Sequence, residues 1–205
     1  TEHLQYLGRK KIVAVIPGFR IDRLNINTYN NLRRDGAFKQ THYQTYLNLQ
    51  NSGNNKVSAG LGTSFDLILL NPTTKSLFEA KGRFSSLKSY AYLNYNTLNQ
   101  TFYPKRGVKI NTEFGLVYDQ NPKLNITQNG QPMGTSAFNF DNYTRLFIDG
   151  NFYIPLRSQL TFLTELQAGI NFTNNPNVFN NFNIGGINGN FRNQVSFYDT
   201  AFKLK

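Results

Sequence analysis

Tyr90-Ala91-Tyr92-Leu93-Asn94-Tyr95-Asn96-Thr97-Leu98-Asn99 and Val108-Lys109-Ile110-Asn111-Thr112-Glu113-Phe114-Gly115-Leu116-Val117-Tyr118, joined through Phe102-Tyr103-Pro104-Lys105-Arg106-Gly107, are the stretches that decide the fold. Each flank alternates apolar and polar side chains over most of its length. That is the period of a β-strand with two unlike faces. In the joining element a proline fixes φ and a glycine reaches positive φ, so Tyr103, Pro104 and Gly107 read as the turn of a tight hairpin. Strands this long suit a bilayer crossing, which takes about 9–11 residues each.

Working outward, alternation bounded by Gly, Pro, Asn and Asp clusters predicts about ten strands. They fall near residues 10–17, 21–32, 41–50, 56–68, 76–84, 89–100, 107–118, 143–154, 159–171 and 193–203. The segments 33–36, 51–55, 71–74 and 155–158 read as turns, and the polar stretch 119–142 as a long extracellular loop. No segment carries a helical period. Sidedness follows from parity. Val108, Ile110, Thr112, Phe114, Leu116 and Tyr118 share one face, opposite Lys109, Asn111, Glu113 and Gly115. Leu146, Ile148, Phe152 and Ile154 oppose Arg145, Asp149 and Asn151, and Leu160, Phe162, Leu166 and Ile170 oppose Glu165, Gln167 and Asn171. Val57, Ala59, Leu61, Phe65 and Leu67 oppose Ser58, Gly60, Gly62, Ser64 and Asp66.

Soluble sandwiches alternate too, but their strands average about 5–6 residues. Here the charges keep to one face. A Lys or Arg on a lipid-facing side at mid-membrane costs roughly 2–4 kcal/mol, which this placement avoids. The expected fold is therefore all-β, an antiparallel transmembrane β-barrel, with Lys109, Glu113, Arg145, Asp149 and Glu165 facing its lumen.

Composition agrees. Hydrophobic residues are 39% of the 205, so average hydropathy alone would suggest a soluble protein, as it does for any barrel in which only alternate residues meet lipid. The 18 Phe and 12 Tyr suit aromatic girdles at membrane interfaces. The net charge of +11 is scattered except for short clusters such as Arg9-Lys10-Lys11, Arg33-Arg34 and Lys105-Arg106 at expected turns or strand ends, which argues for lipid phosphate contact or solubility and against a nucleic-acid partner. With no cysteine and only His3 and His42, there is no disulfide framework and no thiolate or histidine metal cluster. No apolar run approaches the ~20 residues of a membrane helix. The chain starts at Thr1, without an initiator Met or signal peptide, as expected of a processed product or an internal piece.

Several stretches resemble the outer-membrane Omp85, or bacterial surface antigen, superfamily, and most of all the C-terminal barrel of patatin-like phospholipases of Bacteroidetes type. Residues 88–99 look like the strand before that group's tyrosine-proline turn, and Tyr103-Pro104-Lys105-Arg106-Gly107 matches its Y-P-x-x-G element. Phe182-Asn183-Ile184-Gly185-Gly186-Ile187 looks like the lead-in to the family's large inward loop, and Asn193-Gln194-Val195-Ser196-Phe197-Tyr198 like the strand after it. The resemblance covers roughly residues 40–205. It implies a sixteen-stranded barrel in the bacterial outer membrane, of which residues 1–205 form one incomplete barrel domain lacking its last strands. Gly185, Gly186 and Arg192 would belong to the inward loop. The family's Arg-Gly-aromatic loop tip is absent here, where Ile187-Asn188-Gly189-Asn190-Phe191-Arg192 stands instead. That favours the patatin-linked branch over a protein-assembly barrel.

A patatin-type lipase needs a Gly-x-Ser-x-Gly elbow and an aspartate. Gly134-Thr135-Ser136-Ala137-Phe138 begins like the elbow but ends in Phe, and Asp149-Gly150 lies inside an expected membrane strand. The expectation is a chain with no catalytic residue and no cofactor or metal site. It would anchor or help to translocate a lipase domain encoded elsewhere in the full protein. An assembly or translocation barrel and a passive porin are the alternatives. Outer-membrane lipid or lipopolysaccharide, and other outer-membrane or periplasmic proteins, are the expected partners.

Overall fold

The computed structural model describes residues 4–7, 12–30, 33–51, 56–74, 78–128, 130–134, 140–157, 159–173, 183–187, 190–196 and 200–204. Among the described residues the chain is all β, with no helix. The strands are β1 (Gln5–Leu7), β2 (Val13–Asn30), β3 (Arg33–Asn51), β4 (Val57–Thr74), β5 (Phe78–Asn96), β6 (Gly107–Gln128), β7 (Gln131–Met133), β8 (Tyr143–Arg157), β9 (Leu160–Phe172), β10 (Asn183–Ile187), β11 (Asn190–Ser196) and β12 (Thr200–Leu204). One antiparallel sheet runs β1-β2-β3-β4-β5-β6-β8-β9-β12, with β7 attached to β6, and β10 pairs β11 in a second, two-stranded ladder, β11 lying against β2 and β10 against β12. The described sheet is not closed on itself. Segments 31–32, 75–77 and 129–142 connect the strands at one end, here the loop end. Segments 52–56, 97–106 and 158–159 connect them at the other, the turn end.

Several strands run through residues that the sequence marks as breaks. β2 passes through Pro17-Gly18 and joins the strands expected at 10–17 and 21–32, and β5 joins those at 76–84 and 89–100. β4 continues through 71–74, β3 starts at Arg33 instead of turning there, and β8 includes Pro155-Leu156-Arg157. β6 reaches Gln128, so the first half of the expected loop at 119–142 is strand. The strand expected at 193–203 is divided between β11 and β12.

The prolines explain most of these differences. Pro17 lies just past Val15, the last residue of β2 that β1 pairs. Pro72 lies beyond Leu70, where the β4–β5 ladder ends. Pro122 lies beyond Val117, where the β6–β8 ladder ends, and Pro155 beyond Tyr153, where the same ladder ends on β8. Each therefore sits where its strand is paired on one side only, and a missing N–H on the open side costs nothing.

The two faces of the sheet are inverted relative to a water-soluble protein. From β2 to β9 the exposed face carries Phe19, Leu47, Leu49, Leu61, Phe65, Leu93, Phe114, Leu116, Ile154 and Phe162, with Leu61 at 64% exposure and Phe162 at 53%. The opposite face shelters polar groups, including Ser64 and Asn171. An exposed apolar surface this continuous marks contact with something other than water. On β4 it runs from Ala59 to Leu69, about 33 Å along the strand, or about 25 Å of height at a barrel-like tilt near 40°.

Toward the loop end the polarity reverses. On the previously polar face, Phe38, Leu70, Ala80, Leu124 and Ile126 form a buried cluster covered by Ile68, Met133 and Phe140. The rings of Phe84 and Phe140 lie 5.6 Å apart, and Gln120 holds the 140–141 backbone through hydrogen bonds to the carbonyls of Phe140 and Asp141. Here the sheet has the ordinary polarity of a protein in water. The change falls next to a bulge in β6, where Asp119 takes φ 50°.

The tyrosine-proline connection is broader than the tight hairpin turn expected from sequence. It spans the residues between Asn96 and Gly107 and is held by Asn99, whose side-chain oxygen accepts from the backbone N–H of Lys105 (3.0 Å) and Arg106 (3.1 Å). Gly107 does take positive φ, at 116°, and so does Tyr103, at 52°. Phe102 and Tyr103 project from the tip, 80% and 91% exposed.

Candidate functional site

The chemistry of the chain is concentrated on the polar face of β2–β9, in three hydrogen-bonded groups. The first is centred on Asp66. Its Oδ1 lies 2.6 Å from His42 Nε2 and accepts from Gln44 Nε2 at 2.9 Å, while its Oδ2 accepts from Ser64 Oγ at 2.8 Å. Strand period places Ser64 and Asp66 on one face of β4 and His42 and Gln44 on the same face of β3. Asp22 stands directly opposite His42 on β2 and pairs with Arg20 at 2.6 Å.

The second group is Lys88 and Glu113, joined at 2.7 Å across β5 and β6. Lys88 reaches past Gly115, and its ammonium also lies 4.4 Å from the Tyr90 ring centroid. The third is Asp149 on β8. Its two carboxylate oxygens accept from Asn111 Nδ2 at 3.2 Å and from Gln167 Nε2 at 3.0 Å, on the strands to either side.

Between these groups, tyrosines lie across glycines of the neighbouring strand. Tyr90 is paired with Gly62 and Tyr92 with Gly60. A Cβ at Gly62 would come within 2.5 Å of the Tyr90 ring, and one at Gly60 within 2.6 Å of the Tyr92 ring. Tyr46 covers Gly18 in the same way. The hydroxyls reach one strand further: Tyr90 donates to Asn48 at 2.6 Å and Tyr92 to Gln50 at 3.2 Å. A side chain at those glycines would block the rings, so here the absence of a Cβ is structural.

Lys109, Glu113, Arg145, Asp149 and Glu165 all lie on this face. Lys109 and Glu165 flank Asn151 in one row, Asn111, Asp149 and Gln167 form the next, and Arg145 lies between Gly115 and Asn171. The structure brings Glu113 to Lys88 and Asp149 to two amides. Sequence reading did not single out His42, Asp66, Lys88 or Tyr90. Parity places Asp66 on the polar face, but only the register shows which side chains meet it. Gly185 and Gly186 lie in β10, at a register shift against β11. Arg192 lies in β11, while the side chain of Arg192 and the tip at 188–189 lie outside the described residues.

Ser64, Asp66 and His42 are the residue types of a hydrolase triad, but their order is wrong. Nucleophile activation needs histidine between serine and aspartate, whereas here the aspartate is in the middle. Asp149 is likewise held by amide donors, with no serine against it among the hydrogen bonds of the described residues. Residues 135–139, which include the elbow-like Ser136, lie outside the described residues. Among the described residues no three His, Asp or Glu side chains converge as metal ligands. The arrangement instead satisfies charges and hydroxyls internally, while the other face of β4 from Ala59 to Leu69 is mostly carbon.

A family model described as the OMP85 superfamily matches residues 11–203. No curated protein and no solved structure matches the chain.

Proposed function

The chain belongs to the OMP85 superfamily, and from that membership together with its inverted sheet we propose that it forms an outer-membrane β-barrel, or a portion of one, that anchors a patatin-like phospholipase domain and helps to carry it outward. The observation that carries the membrane part is the apolar face of β2–β9, exposed over about 25 Å of height. In water such a face would associate, whereas in hydrocarbon it needs no cover. The polar face then lines an interior in which Asp66, Glu113 and Asp149 already have their partners. A sheet in lipid cannot leave edge amides unpaired, so closure into a barrel completes this reading.

The anchoring role rests on the resemblance of residues 88–107 and 182–198 to the patatin-linked branch. Among the described residues the polar face holds charges together and sets no histidine between a serine and an aspartate, and the resemblance assigns catalysis to a separate domain. Two measurements test the two parts separately. Folding into detergent or bilayers should give a β-type circular dichroism spectrum and heat-modifiable migration, and a helical or water-soluble product refutes the barrel. The full-length open reading frame should encode a Gly-x-Ser-x-Gly elbow upstream, and a reading frame without one refutes the lipase anchor while leaving the barrel standing.

A further inference from the structure

The exposed face changes from carbon to cations within one step of the ladder. The register aligns Phe19, Thr45, Phe65, Leu87 and Tyr118 in one row across β2–β6, and Ile21, Tyr43, Leu67, Ser85 and Asn121 in the next row toward the loop end. The third row reads Arg23, Thr41, Leu69, Arg83, Lys123. Beyond it, Lys39 stands between Asn25 and Asn71, and Lys81 pairs Asn125. Arg23, Lys39, Lys81, Arg83 and Lys123 are all exposed, and none of their side chains is in an ion pair with another described residue. These two rows hold no acid. The acid nearest along the chain is Asp22, next to Arg23 but on the opposite face and paired with Arg20; Glu79 lies two residues beyond Lys81 on β5, and Asp119 at the β6 bulge.

Arg83 and Lys123 are direct cross-strand partners. Like charges placed directly opposite destabilise a sheet unless something negative lies between them. The level of the row matters as much as its charge. It lies where the sheet passes from apolar-outside to the ordinary polarity of the Phe38–Leu124 cluster, which is where hydrocarbon gives way to headgroups. The long connection at 129–142 leaves from this end, and long loops lie outside in outer-membrane barrels.

We propose that this row is a docking site for the phosphates of the outer-leaflet glycolipid, lipid A, with its acyl chains lying along the apolar rows below. This rests on the transmembrane reading and adds to it a particular lipid, leaflet and set of residues. Arginine and lysine at a membrane surface attract anionic headgroups, and guanidinium binds phosphate through two parallel hydrogen bonds.

The chain folded in zwitterionic micelles is titrated with bis-phosphorylated lipid A, dephosphorylated lipid A, phosphatidylglycerol and inorganic phosphate, and bound species are counted by native mass spectrometry. Phosphorylated lipid A should bind at least tenfold more tightly than each of the others. The double variant Arg83→Gln, Lys123→Gln should weaken it about thirtyfold, at roughly one charge's surface attraction per residue removed. Arg83→Lys with Lys123→Arg should retain it, and Arg157→Gln at the turn end should leave it unchanged. Heat-modifiable migration verifies that each variant is folded. Equal binding of dephosphorylated lipid A, equal competition by phosphatidylglycerol, displacement by inorganic phosphate at comparable concentration, or no effect of the double variant each overturns the proposal. A chain that never inserts refutes the transmembrane reading instead.

Discussion

Replacing Phe114 or Ile154 with lysine separates a membrane-spanning sheet from a soluble one, because the two side chains are equally exposed but lie at different depths. Phe114 is 52% exposed and Ile154 51%, and both are on the apolar face. In a protein surrounded by water, either substitution changes a half-exposed side chain into a solvated one, and both shifts stay near the ±0.5 kcal/mol of ordinary surface changes. In lipid the outcome depends on height. Phe114 is midway between Ile110 and Tyr118 on the apolar face of β6 and pairs with Leu146. Ile154 is eight residues along β8 from Leu146. That is about 26 Å along the strand, or about 20 Å of height at a tilt near 40°, more than half of the apolar height and so past its turn-end edge. Lysine costs about 2–4 kcal/mol at the midplane and about 0–1 kcal/mol near an interface. Phe114→Lys should therefore lose about 2–4 kcal/mol and Ile154→Lys less than about 1 kcal/mol. Urea unfolding in lipid vesicles, with the midpoint and slope fitted separately, reads both values. Equal small losses for the two variants would refute the lipid-facing assignment. Equal large losses would show that the face is packed against protein.

Three further outcomes follow from the polar face and the connection. Asp66→Ala leaves His42, Gln44 and Ser64 without their acceptor and should cost about 2–3 kcal/mol in the same unfolding assay, with a double cycle against His42→Ala showing coupling. Gly62→Ala drives a methyl into the Tyr90 ring and should slow or prevent folding, and adding Tyr90→Ala should recover part of the loss. Gly107→Ala must hold φ 116° against the carbonyl of Thr97 and should cost about 1–3 kcal/mol, with the turn-end connection loosening first in hydrogen exchange.

Much of the fold was legible in alternation alone. The sidedness of 107–118 and 159–171 follows from which residues are charged, and Phe114, Leu116 and Phe162 lie on the exposed face that their parity implies. The boundaries were less legible. Pro17, Pro72, Pro122 and Pro155 are turn signals to a local reading, and what makes them tolerable is which ladder stops beside them, a non-local fact. The breadth of the tyrosine-proline connection was hidden for a similar reason, because its brace is the side chain of Asn99. The polar groups were half legible: Glu113 and Asp149 stood out as charges amid alternation, yet Lys88 and Asp66 could be matched to partners only through register. His42 is one of only two histidines in the chain, which made a metal site unattractive without suggesting an aspartate beside it.

Alternation cannot defend one strand alignment against another displaced by two residues, since such a slip keeps every side chain on its own side. The rings over bare backbone can. If β5 moved two residues against β4 in one direction, Tyr92 would meet Gly62 but Tyr90 would land on Ser64, and in the other direction Tyr90 would meet Gly60 but Tyr92 would land on Ser58. Only one alignment seats both aromatic plates at once, so the two vacancies at positions 60 and 62 work like a vernier that counts residues along the seam between these strands.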